Sequence, residues 1–182
     1  MSRGGELTHL DAAGRAQMVD VGEKAVTERV CVARGAVRMA PETLDRVTAG
    51  ELPKGDVLAT ARLAGIQAAK RTHEWIPLAH LIPLDSVEVH FQPMRQTAED
   101  GRACLGVEAV ARAHAKTGVE MEALVAVSAA GLTVYDMCKA VDRGMTLDEV
   151  RLVRKQGGKS GVWDRPGEPE PPSAGGRDAP NE

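Results

Sequence analysis

Glu120, Glu122, Asp136 and Lys139 bracket one apolar stretch, residues 117–141, with acids at one end and an acid and an amine at the other. Carboxylates beside lysines are the equipment of proton transfer and phosphate binding. Glu122 and Asp136 are fourteen positions apart. On a helix they share a face yet lie about 21 Å apart at 1.5 Å per residue. One helix cannot put both in one small pocket. If both serve one reaction, the far end of the site comes from another element or another subunit, so an oligomer with shared sites is the physical expectation.

Each group has a plainer reading beside the chemical one. Asp136 and Lys139 are three apart, within reach of each other, and form either an ordinary surface pair or a proton-exchanging couple if burial shifts the lysine. Thr117 and Glu120 have the spacing of a capping box, so Glu120 either satisfies the first N–H groups of the helix or meets a substrate. Met121 and Glu122 sit in the first turn, where the positive end of the helix dipole favours acids. Lys54 lies in a loop with Gly50, Pro53 and Gly55 before a helix start, suited to closing on phosphate or simply exposed. Gly157-Gly158-Lys159-Ser160 suggests a phosphate loop, but that pattern needs a glycine where Val153 stands, and Gly161 and Pro166 exclude a following helix. Lys159 belongs either to an anion-wrapping segment or to a plain strand exit.

The chain has 182 residues, 43% hydrophobic and 27% charged, enough for one domain with a core. A formal net charge of −3 and 2% aromatic content argue against nucleic-acid binding. Cys31, Cys104 and Cys138 are scattered, which fits a reducing cytosol better than a disulfide framework. No acid or thiol cluster compels a metal. The start lacks the apolar core of a leader, and no run is read as a membrane span, so the expected location is the cytoplasm.

Residues 26–38 read as a strand, 41–47 as a short helix with Pro41 in its first turn, and Asp56 as the N-cap of a helix through Lys70. The Ala and Gly of that second helix leave so little bulk that it calls for a closely packed helical partner. Val87, Val89 and Phe91 alternate with Glu88, His90 and Gln92; with the run 102–115 they predict a hairpin. A long helix over 118–141 and a strand at 150–153 complete the order strand, helices, strand, strand, helix, strand. This is an α+β ferredoxin-like sandwich: an antiparallel four-stranded sheet with helices on one face. The expected organisation is a flexible start at 1–6, one catalytic domain at 7–163 and a Pro- and Gly-rich disordered tail at 164–182.

Five blocks carry a family resemblance: Lys54-Gly55-Asp56-Val57-Leu58-Ala59-Thr60-Ala61-Arg62, Ala64-Gly65-Ile66-Gln67-Ala68-Ala69-Lys70, Lys116-Thr117-Gly118-Val119-Glu120-Met121-Glu122-Ala123, Tyr135-Asp136-Met137-Cys138-Lys139-Ala140 and Gly157-Gly158-Lys159-Ser160-Gly161. They resemble the signature blocks of the cyclic pyranopterin monophosphate synthase family, also called molybdenum cofactor biosynthesis protein C, from about residue 7 to 161. The resemblance implies a lyase that rearranges a cyclised dihydroguanosine triphosphate, releases diphosphate and closes a cyclic phosphate, acting as a hexamer built from dimers. It implies Asp136 as general acid or base with Lys139 as partner, and Lys54 as a catalytic or lid residue. Substrate contacts would come from Leu78, Ala79, His80, Glu120, Met121 and Glu122, with Lys70, Arg62 and Lys159 toward the triphosphate. No cofactor is implied as required, and magnesium would accompany only the triphosphate. The family has Cys, His, Pro where this chain has Ala79, His80, Leu81, so no thiol acts there. His73 and His9 lack any such context. The alternative is a non-catalytic nucleotide-binding regulatory module of the same fold.

Overall fold

The computed structural model of the chain describes residues 14–94 and 101–169. The expected flexible start at 1–6, His9 and the tail beyond Pro169 lie outside the described residues. The elements in order are β1 (Thr27–Met39), α1 (Pro41–Ala49), α2 (Val57–Ala69), α3 (Thr72–Trp75), β2 (Ser86–Met94), β3 (Ala103–Ala115), α4 (Glu120–Cys138), β4 (Thr146–Gln156) and β5 (Trp163–Asp164). All strand pairings are antiparallel, in the order β2-β3-β1-β4-β5. This is the α+β ferredoxin-like arrangement, with a two-residue fifth strand added to the four expected. α3 was not expected, and β4 is longer than the 150–153 core, because its ladder partner β1 is itself thirteen residues long.

Alternation along the strands decides the layers. Cys31, Ala33, Val37 and Met39 of β1 and Leu105, Val107, Ala109 and Ala111 of β3 join the main core under the helices. Val30, Val32, Val110 and Val153 form a second buried cluster on the opposite face. α4 is the central helix: Ala123, Ala126, Val127, Ala130 and Val134 are completely buried. Fully burying a valine is worth about 1.5–3 kcal/mol, so this stripe anchors α4 across the sheet. Among the described residues only α4 has the length and apolarity of a membrane span, with a mean hydropathy of 1.3. Since 61% of that stretch is buried inside the protein, it is accounted for as the core helix.

The small-residue helix has its partner. α2 runs antiparallel to α4, with Ala68 beside Val125 and Ala129 in one buried cluster. Gly65 is the closest approach: a Cβ there would stand 2.9 Å from the Ala126 carbonyl oxygen and 3.4 Å from Ala130 Cβ. The Asp56 side chain caps α2 by accepting from the Ala59 N–H at 2.9 Å, as its position predicted. That cap fixes where the preceding loop, with Lys54, leaves the helix.

Candidate active site

Because α2 and α4 are antiparallel, the loop before α2 meets the last turn of α4. Lys54 Nζ donates to Asp136 Oδ2 and to the Asp136 carbonyl oxygen, each at 2.9 Å. Lys139 Nζ lies 2.7 Å from Asp136 Oδ1. One carboxylate is held between two ammonium groups, and all three side chains are about half exposed. Hydrogen bonds from Lys139 and then Lys54, with their charges, pull the Asp136 carboxyl down to about 2. Asp136 in turn raises the Lys139 ammonium. Lys139 is therefore not the expected burial-shifted lysine exchanging protons near neutrality. Exposure keeps the cations hydrated, and the ion pair with Asp136 holds the Lys139 proton in place.

This cluster carries a net positive charge and faces solvent, which suits it to phosphate oxygens. Beside it a groove of about 460 Å³ runs between α2 and α4 from Asp136 past Thr133 and Leu132 to Trp75 and Arg71. Arg71 was not singled out in the sequence. It follows the end of α2, one turn beyond Gln67 and Ala68, and that spacing was the available signal.

Of the other sequence-predicted residues, Glu120, Met121 and Glu122 stand at the opposite end of α4. Glu122 is 3% exposed, and burial pushes its carboxyl up to about 7, with the Glu120 charge adding to the effect. Glu120 does not close a capping box. Val119 is the N-cap and makes no side-chain cap bond, and the Glu120 carboxylate instead accepts from Lys155 Nζ at 3.1 Å. The correction has a simple cause: β4 carries Lys155 past the start of α4, and a charged partner outcompetes a local backbone N–H. Lys155 is a residue the sequence reading missed; nothing local in β4 marks it, because its partner is 35 residues away. Met121 is half-buried beside this pair.

His80 Nε2 donates to the Val19 carbonyl at 2.8 Å, so the loop after α3 is tied to the N-terminal segment. Leu78 is exposed and Ala79 half-buried. Ile76 packs on the cluster of Ala68, Val125 and Ala129, which places this loop toward the first half of α4. Lys70 ends α2 on the same side and is exposed. Lys159 is exposed in the turn after β4, closed by Gly157 N to Gly161 O and Gly161 N to Gly158 O at 3.2 Å each. Arg62 is engaged elsewhere: its Nε donates to the Val89 carbonyl at 3.1 Å and its guanidinium lies 5.7 Å from the Phe91 ring centre. Two poles thus stand at the ends of one helix, the lysine–aspartate cluster at one and the Glu122 group at the other. Among the described residues no group of three or more His, Cys, Asp or Glu side chains could hold a metal. The Cys31 and Cys138 thiols are pushed up to about 12 and about 11 by burial, so neither is a ready nucleophile.

Residues 18–158 match the family model described as MoaC family. A protein of Chloroflexus aurantiacus named cyclic pyranopterin monophosphate synthase is 60% identical over 161 residues, covering 88% of this chain and 96% of that protein. Proteins of the same name from Thermomicrobium roseum and Pelotomaculum thermopropionicum are 58% and 54% identical, covering 88% and 89% of this chain and 93% and 92% of theirs. With a family match spanning both poles of α4 and relatives at this identity over nearly their whole length, the chain belongs to the MoaC family.

Proposed function

We propose that the chain is a cyclic pyranopterin monophosphate synthase. It converts (8S)-3',8-cyclo-7,8-dihydroguanosine 5'-triphosphate to cyclic pyranopterin monophosphate with release of diphosphate, an early step of molybdenum cofactor biosynthesis. The single observation that carries this reading is the Asp136 carboxylate clamped between Lys54 and Lys139. Loss of diphosphate builds charge on phosphate oxygens, and preorganised ammonium groups stabilise that charge. The same cluster supplies the proton step. When substrate phosphate takes the two lysines, Asp136 loses the contacts that hold its carboxyl near 2. Its proton affinity then rises toward the range useful for acid–base work.

The second pole binds the purine-derived ring system. A buried carboxyl near 7 accepts from, or when protonated donates to, ring nitrogen and exocyclic groups, which is the part we assign to Glu122. Glu120, Met121, His80 and the backbone at Leu78 and Ala79 complete that side, and Lys159 and Lys70 reach for the triphosphate. Since about 21 Å of helix separates Glu122 from Asp136, each working crevice takes its two poles from neighbouring copies. The assembly we propose is a hexamer of three dimers. The reaction class is a phosphorus–oxygen lyase acting in the cytoplasm, and magnesium enters only as a companion of the triphosphate.

The test is incubation of the purified protein with the cyclised nucleotide, following diphosphate and the cyclic phosphate product. Stoichiometric formation of both supports the reading. Binding of the nucleotide without any diphosphate would leave the regulatory-module alternative in its place.

A further inference from the structure

Opposite the helices, the outer sheet face bears a cavity of about 930 Å³ whose walls include Arg34, Arg38, Cys104, Glu108, Arg151 and Glu168. One wall is formed by chain that lies beyond the family-matched residues 18–158. Residues 164–169, assigned from the sequence to the tail, run beside β4. Trp163 and Asp164 pair with Lys155 and Arg154, the Arg165 N–H donates to the Val153 carbonyl at 2.8 Å, and Arg165 Nε donates to the Leu152 carbonyl at 2.7 Å. The segment then turns at Gly167 and delivers Glu168 to two arginines. Glu168 Oε2 accepts from Arg34 Nη1 at 3.0 Å, and Glu168 Oε1 accepts from Arg151 Nε. Arg34 Nη1 also donates to the Pro169 carbonyl at 3.1 Å.

We propose that residues 161–169 are a latched strap that closes this outer-face cavity, with Glu168 as the latch and the Arg34–Arg151 pair as the catch. Three observations make it a device rather than a strut. The catch is built without the latch: Arg34 is also held by Glu108 at 2.8 Å, and Arg151 by the Glu149 carbonyl at 2.8 Å, so both stay in place when Glu168 leaves. The latch is nearly shielded from water, with 12% of the Glu168 side chain exposed, so the two arginines hold it by charge-assisted bonds that solvent screens little. The strap has a turn glycine at each end, since Gly161 and Gly167 have φ of 65° and 81°, a region glycine adopts freely, and a Cβ at either position would meet no atom within 4 Å.

Cys104 reports on the cavity. Its thiol belongs to the cavity wall and is 4% exposed, whereas Cys31 and Cys138 lie in the main core at 1% and 0%. The experiment compares the full-length wild type with Glu168→Gln and Glu168→Ala, measuring the rate of alkylation of each cysteine by peptide mass mapping under native conditions. Opening of the strap sets the rate at Cys104 when closing is fast. Loss of two charge-assisted bonds predicts an increase of about tenfold or more at Cys104 in Glu168→Ala, with a smaller increase in Glu168→Gln and no change at Cys31 or Cys138. Equal Cys104 rates in all three proteins would overturn the latch. So would a parallel rise at all three cysteines, which reports general loosening. Neither result bears on the catalytic reading, because none of these residues belongs to the two poles of α4.

Discussion

Lys54 Nζ bonds both the side chain and the main-chain carbonyl of Asp136 at 2.9 Å within one chain, joining residues 82 positions apart. Antiparallel packing of α2 on α4 closes this gap inside the protomer, so the pair needs no subunit contact. Mixing inactive Lys54→Ala and Asp136→Asn proteins should therefore restore no diphosphate release even when their subunits exchange. Mixing Asp136→Asn with Glu122→Gln should restore a measurable fraction, since some crevices then combine an intact pole from each. Rescue by the first mixture and none by the second would invert the proposed site.

Asp136→Asn should lower kcat by about 10²–10⁴, the usual range for a positioned acid–base group. It should leave the melting temperature unchanged, because exposed ion pairs contribute little to stability. In the wild type, the acid limb assigned to Asp136 should lie higher in kcat than in kcat/KM. The free carboxyl sits at about 2, and phosphate binding removes the two cations that depress it. Coincident acid limbs, measured by rates across the acid range, would remove the proton role from this residue.

Burial raises the Glu122 carboxyl from 4.5 to about 7, and this has a definite sign in stability. Between those values the folded protein binds the proton more tightly than the unfolded chain, so stability falls as pH rises through the window. The Glu122 contribution is fully present below about 4.5 and lost above about 7. At about 1.4 kcal/mol per pKa step, the loss is at most about 3–4 kcal/mol. Denaturant melts at pH 5 and pH 8 should show Glu122→Gln closing most of the difference seen in the wild type. An identical pH slope in both proteins would count against the buried carboxyl.

Gly65→Ala places a methyl group 2.9 Å from the Ala126 carbonyl, a backbone atom that cannot swing aside. Overpacking of about 1–3 kcal/mol is set against the roughly 1 kcal/mol gained in helix propensity, for a net loss of up to about 2 kcal/mol by chemical denaturation. Since the loop that enters α2 carries Lys54 and α4 carries Asp136, forcing the helices apart should also reduce diphosphate release below the wild-type rate under conditions where the variant is fully folded. Wild-type stability and rate in this variant would show that the helix spacing does not set the cluster.

The sheet was legible because alternation is local: Val87, Val89 and Phe91 announce β2 whatever surrounds them. Asp56 as a cap and the Ala–Gly face of α2 were legible for the same reason. Glu120 misled, since its spacing from Thr117 fits a cap, while the partner it takes, Lys155, comes from a strand that only the folded sheet brings near. Arg62 reads as an available cation in its block, yet β2 supplies the Val89 carbonyl that holds it. Asp164 to Pro169 read as tail because Pro and Gly dominate, whereas Arg34 and Arg151 give Glu168 a fixed partner.

The sequence by itself determined the order of the four long strands and of α1, α2 and α4, the small-residue contact surface of α2, and the set of acids and lysines at the ends of α4, because period, capping and side-chain volume act over a few neighbouring residues. Only the tertiary structure decided that Lys54 and Asp136 share one protomer, that Lys139 is bound and exposed, and that Glu122 is buried with a carboxyl near 7. Those properties come from distance and dielectric between segments far apart in the chain, and neither exists until the helices pack on the sheet.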